Sequence, residues 1–324
     1  MKYSRIAGTG RFLPDNIVSN KDLEQRMDTT DEWIRTRTGI ERRHIAAADQ
    51  TTVDLAEQAA RRAIESAAVS PQDIDLIVFG TTTPDLVFPN CGALLQSRLG
   101  IRLCPAFSVE AACSGFIFAL SVADKFIRLG DAKCALVVGA ETLSRITDWN
   151  DRGTAVLFGD GAGAAVVVPS AEPGILSTHL HTEGSYKDLL YCPVGVSKGF
   201  TEIENGRAKH SIVMAGREVF KVAVQSLGSI VDEALAANKL DKSALDWLVP
   251  HQANMRIIQA TARKLDLPME KVIVTVQDTG NTSAASVPMA LDVGIRDGRI
   301  KRGDLLLLEA FGGGFTWGAA LIRY

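Results

Sequence analysis

Apolar residues recur at positions 53, 56, 60, 63, 64 and 67, the spacing that lays one apolar stripe along an α-helix. Thr51 ahead of that stripe, with Asp54 three residues later, has the pattern of a capping box and marks where the helix begins. Ser70-Pro71-Gln72-Asp73 breaks the periodicity, and Ile74-Asp75-Leu76-Ile77-Val78-Phe79 then predicts a strand. The same order returns later. Val219 to Ala237 reads as a helix, Asp241-Lys242-Ser243-Ala244 as a connection and Leu245-Asp246-Trp247-Leu248-Val249 as a strand. Residues 69–78 align on 240–249 without a gap, and the glycine-rich stretch 158–166 is echoed by 311–321. Strands alternating with helices in two similar portions predict an α/β protein with internal pseudo-symmetry. The halves are expected to span 1–171 and 172–324, with the junction near Pro169 to Pro173.

Composition narrows the class without naming a function. The 324 residues are 46% hydrophobic and 23% charged, ordinary for a globular chain, and the net charge of −3 argues against a nucleic-acid footprint. The longest apolar stretch, Gly115 to Ala123, is far short of the roughly 20 residues needed to cross a bilayer. Met1-Lys2-Tyr3-Ser4-Arg5 lacks the apolar segment of a secretory signal, and five cysteines without metal-like spacing fit a reduced, cytoplasmic setting.

Candidate chemistry gathers at three turns. Cys113 follows the apolar strand Ala106-Phe107-Ser108-Val109 and precedes the helix-like run Ser114 to Leu120. A thiol at a helix N-terminus is expected to have its pKa lowered from about 8.5 toward neutrality, which supplies a thiolate nucleophile. Far downstream stand Pro250-His251-Gln252-Ala253-Asn254 and Gly280-Asn281-Thr282-Ser283, each also read as a strand-to-helix turn. Cys91, Cys104, Cys134 and Cys192 lack such a setting and read as inert. His179 and His181 sit in strand-like alternation with no third ligand, so no metal site is expected there. Gly159-Asp160-Gly161-Ala162-Gly163 precedes a strand instead of opening a helix, which favours close backbone packing over a phosphate loop.

Together these stretches resemble the thiolase-fold condensing enzymes, in particular the β-ketoacyl-acyl-carrier-protein synthase III family. The resemblance covers nearly the whole chain: Asp28-Thr29-Thr30-Asp31-Glu32-Trp33-Ile34, Arg37-Thr38-Gly39-Ile40, Ala111-Ala112-Cys113-Ser114-Gly115-Phe116, residues 158–163, 250–254 and 280–283, and the final 311–318. It implies a five-layered αβαβα fold of two pseudo-symmetric halves. The implied reaction loads an acyl group from acyl-CoA onto Cys113 and condenses it decarboxylatively with malonyl-acyl-carrier protein. His251 and Asn281 would stabilise the enolate, and the N–H groups of Cys113 and Gly313 would form the oxyanion hole, glycine allowing close approach. Whether His251 also takes the Cys113 proton is left open. Thr29, Trp33, Arg37, Arg152 and Asn254 are the implied CoA contacts, with Trp33 and Arg152 flanking the adenine. Phe88 would cap the acyl pocket from a partner subunit, implying a homodimer. Lys221, Arg256, Arg263 and Lys264 would receive the acidic carrier protein, the last three expected near the pocket mouth. No metal or bound cofactor is implied, acyl-CoA being a substrate. A related synthase or acyltransferase using the same triad on another donor or acceptor is the alternative.

Overall fold

The computed structural model describes residues 3–193, 195–198 and 210–324. Its first half runs β1 (Tyr3–Phe12), β2 (Asn16–Ser19), α1 (Asn20–Glu24), α2 (Asp31–Thr38), β3 (Arg42–Ile45), α3 (Thr52–Ala67), β4 (Leu76–Gly80), α4 (Cys91–Arg98), β5 (Ala106–Val109), α5 (Gly115–Leu129), β6 (Ala135–Thr142), α6 (Arg152–Ala155) and β7 (Asp160–Ser170). After a short connection come β8 (Ile175–Thr182), β9 (Leu190–Tyr191), β10 (Val213–Met214), α7 (Gly216–Ala237), β11 (Trp247–Pro250), α8 (Met255–Lys264), α9 (Val276–Thr279), α10 (Ser286–Arg296), β12 (Leu305–Gly312) and β13 (Thr316–Arg323).

The two large sheets have matching plans. The first is ordered β1-β7-β6-β4-β5, the second β11-β12-β13-β8. In the first, β4 runs parallel to β5 and β6, and β7 is antiparallel to both β6 and β1. In the second, β11 runs parallel to β12, and β13 is antiparallel to both β12 and β8. Where the first sheet has β5, the second keeps a single parallel bridge, Leu248 to Val272.

Helices α5 and α10 lie between the sheets, and one continuous core joins Phe116 and Ile117 of α5 to Val78, Val137, Leu306 and Leu308. Such fully buried side chains contribute roughly 1.5–3 kcal/mol each. Helix α3 covers the outer face of the first sheet and α7 that of the second, which completes the five αβαβα layers. The α3 stripe is buried as its periodicity predicts, and Thr51 and Asp54 make both bonds of the capping box. The glycines at 159–163 act in packing: a Cβ on Gly163 would stand 2.7 Å from the Met289 backbone nitrogen of α10.

Candidate active site

The Cys113 turn is held from the opposite sheet. After β5, residues Ala112–Ser114 form a single 3-10 turn before α5 starts at Gly115. Thr316 of β13 donates its hydroxyl to the Ala111 carbonyl at 2.8 Å, and Ser114 donates its own to the Thr316 carbonyl at 3.0 Å. The end of β12 then presses against Cys113. A Cβ on Gly312 would lie 2.5 Å from the Cys113 nitrogen, whereas one on Gly313 would meet Leu190 O at 3.1 Å. Gly312 is thus the glycine that the Cys113 backbone requires. The Cys113 N–H lies beside its own sulfur, and Gly313 lines the same cavity as Cys113.

The thiol differs from expectation. Burial pushes Cys113 up to about 12, the nearby Glu141 charge adds to the rise, and a hydrogen bond with the Ser283 hydroxyl opposes it. Desolvation outweighs any help from the helix end, so Cys113 rests as a thiol.

His251 leaves β11 with its N–H bonded to Glu309 O at 2.8 Å. Burial lowers its pKa to about 3, so the ring is neutral. Its Nδ1 lies 2.5 Å from Ser286 Oγ at the start of α10, and the Gln252 N–H donates to that same oxygen at 3.4 Å. No other acceptor for the Ser286 proton stands among the described residues, so the hydroxyl donates to Nδ1 and the ring proton sits on Nε2. Asn281 follows the short helix α9 instead of a strand. Its backbone locks onto the Leu157–Gly159 segment. The Ser283 N–H donates to Asn281 Oδ1 at 2.9 Å, which leaves the side-chain N–H₂ to donate elsewhere.

Cys113, His251, Asn281 and Gly313 line one cavity of about 1490 Å³, together with Trp33, Arg37, Asn254, Lys221 and Arg256. Near its mouth, Arg37 and Arg152 lie 4.9 and 4.7 Å from the centre of the Trp33 ring, so Arg152 rests on the indole itself. Thr29 Oγ1 is enclosed without a hydrogen bond. Asn254 caps α8, accepting from the Arg256 N–H at 2.8 Å, and donates to Arg37 O at 3.2 Å. Phe88 is 83% exposed, flanked by exposed Leu86 and Val87. Of the expected carrier-protein residues, Arg263 and Lys264 do not line the cavity. They stand two turns further along α8, and Lys264 pairs with Asp232 at 3.0 Å. Arg217 does line it. His179 and His181 both bond Glu233, at 2.9 and 2.6 Å.

Comparison with known proteins decides the family. Residues 107–184 and 235–324 match the family models described as 3-oxoacyl-[acyl-carrier-protein] synthase III and its C-terminal part. The chain is 64% identical over 322 residues to the β-ketoacyl-[acyl-carrier-protein] synthase III of Xanthomonas campestris pv. campestris, covering 99% of this chain and 98% of that protein. It is 62% identical to the synthase III of Thioalkalivibrio sulfidiphilus, with both chains fully covered. The crystal structure of 3-oxoacyl-[acyl-carrier-protein] synthase III from Aquifex aeolicus superposes with a TM-score of 0.93 at 48% identity, covering 99% of this chain and all of that one.

The chain belongs to the synthase III family. As a member it is an acyl-transferring condensing enzyme with the thiolase fold. Glu141 and Ser286 of this synthase escaped notice in the sequence, and Ser283 was named only as part of the Asn281 motif, because each meets its partner side chain far away in the chain. The repeated Ser in Asn281-Thr282-Ser283-Ala284-Ala285-Ser286 is the signal that could have pointed to the two serines.

Proposed function

We propose that this synthase starts fatty-acid synthesis in two half-reactions at the Cys113 cavity. In the first, Cys113 sulfur attacks the thioester of an acyl-CoA, the N–H groups of Cys113 and Gly313 receive the developing oxyanion, and CoA leaves as its thiolate. In the second, malonyl-acyl-carrier protein loses carbon dioxide. The enolate oxygen accepts from His251 Nε2–H and from the Asn281 amide, and the enolate carbon displaces Cys113 to give 3-oxoacyl-carrier protein. A neutral His251 with its proton on Nε2 supports the donor role. Arg152 lifts from Trp33 to admit the adenine, whose edge satisfies Thr29, while Arg37 and Asn254 meet the phosphates and pantetheine arm. Lys221 and Arg256, with Arg217, receive the carrier protein, and Arg263 and Lys264 add positive charge farther out. Phe88, out of reach of its own cavity, closes that of a second copy in a homodimer. The halves 1–171 and 172–324 meet at this site.

The observation that carries this reading is the convergence of a thiol, a neutral imidazole and an oriented carboxamide on one cavity. Intact mass after mixing with acyl-CoAs tests it: a thioester adduct forms on the native protein and not on Cys113→Ser. Asn281→Ala keeps the adduct and loses product with malonyl-carrier protein. Loss of acylation in Asn281→Ala would show that its role is misassigned.

A further inference from the structure

The two side chains proposed to hold the enolate, His251 and Asn281, stand on separate turns, and the side chain that ties those turns together is Gln252. It has no exposed surface and does not line the cavity, although His251, Ala253 and Asn254 on either side of it do. Its Nε2 donates to Pro250 O, at the end of β11, at 2.8 Å and to Ile273 O at 3.0 Å. Its Oε1 accepts the Thr275 N–H at 2.8 Å and the Val276 N–H at 3.1 Å. Carbonyls on one side and N–H groups on the other allow a single orientation of the amide, and they use every donor and acceptor it has. Val276 opens α9, and Thr275, its N-cap, supplies no side-chain bond. Gln252 therefore caps α9 from a distant segment. From α9 the path to Asn281 is short. The Gly280 N–H donates to Val276 O at 3.0 Å, and the Asn281 N–H that follows donates to Leu157 O at 2.8 Å. On its other side Gln252 directly follows His251, and its own N–H meets Ser286 Oγ, the atom that orients the imidazole.

We propose that Gln252 is a positioning residue for the second half-reaction: its carboxamide clamps the His251 turn to the α9–Asn281 turn so that both donors aim at one enolate oxygen. The proposal rests on the enolate reading above. Two donors serve a single oxygen only when both stand within hydrogen-bond range of it, and they come here from different stretches of chain. The clamp is what keeps those stretches in register. Gln252 itself touches no substrate and moves no proton; it acts through the two donors. The Cys113 turn is held separately, by the Thr316 and Ser114 bonds and the close-packed Gly312, so the first half-reaction does not depend on the clamp.

The test separates the half-reactions in two variants. Gln252→Met keeps the side-chain length and loses the bonds. Gln252→Glu keeps the shape and the acceptor for α9, and sets an oxygen against Pro250 O and Ile273 O. Cys113 acylation is followed by intact mass with acyl-CoAs from acetyl to dodecanoyl. Carbon dioxide release from malonyl-acyl-carrier protein is then measured on the preloaded enzyme. Both variants are expected to acylate at the native rate, which also shows that they fold. In both, kcat for decarboxylation falls while KM for malonyl-acyl-carrier protein is unchanged, the signature of an interaction made only in the transition state. In Gln252→Met the fall is about a hundredfold, as for groups displaced by about an ångström. If Gln252→Met does not fold, Gln252→Glu alone decides. A native kcat in a folded variant, with only Tm lowered, overturns the clamp, as does acylation slowed in step with decarboxylation. Either result leaves the enolate reading intact as long as Asn281→Ala acylates and fails to decarboxylate. Decarboxylation at the native rate in Asn281→Ala overturns both.

Discussion

A methyl group added at Gly312 would stand 2.5 Å from the Cys113 nitrogen and 3.1 Å from its Cα, closer than real Cβ atoms pack. The neighbour is backbone and cannot swing aside. Gly312→Ala should cost about 1–3 kcal/mol of stability, as overpacking does, and slow Cys113 acylation more than tenfold by moving the turn that carries the nucleophile. Thermal unfolding and adduct formation followed by mass would check the two effects. Gly313→Ala is expected to be milder at the turn, since its nearest neighbour is Leu190 O at 3.1 Å. Cys113, His251 and Asn281 were all legible as chemistry in the sequence, because each residue type stands in a short motif. The protonation states were not. A thiol pushed up to about 12 and an imidazole lowered to about 3 are consequences of enclosure by segments far away in the chain.

Strand β12 shows what an element can hide. It reads as a plain buried strand, yet Glu309 in its middle has no exposed surface and neither carboxyl oxygen accepts a well-formed hydrogen bond. Burial raises its pKa to about 8, with Thr261 only partly opposing. The unfolded carboxyl titrates near 4.3, so the unfolded chain releases this proton first as pH rises. Stability from this group is complete below about pH 4.3 and falls as pH rises through about 8. Glu309→Gln should flatten that decline, read as a smaller drop in Tm between pH 6 and 9 than the native protein shows. An equal drop in both would mean that another group titrates. Helix α3 gives a simpler case: Thr51→Ala removes a cap whose two bonds are both formed, and should cost about 1 kcal/mol in chemical denaturation.

Over the whole molecule, the repeated grammar of helix, connection and strand became two sheets of the same plan, with α5 and α10 back to back between them. The site lies where their N-terminal turns meet, the Cys113 turn from one half against the Ser283 turn from the other. Exposed Leu86, Val87 and Phe88 form an apolar tip that the proposed homodimer would bury. Leu86→Glu should therefore shift the mass measured by analytical ultracentrifugation from dimer to monomer, and an unchanged mass would place the interface elsewhere. By itself the sequence determined the element types, the duplication and the family, and it singled out the side chains proposed to react, because periodicity, caps and short motifs are local properties of the chain. Tertiary structure alone decided that Gly312 packs against the Cys113 backbone, that Arg263 and Lys264 do not line the cavity, and that Ser283 bonds Glu141 while Ser286 bonds the imidazole. Those relations join residues separated by tens to hundreds of positions, and they exist only once two sheets have closed around the cavity.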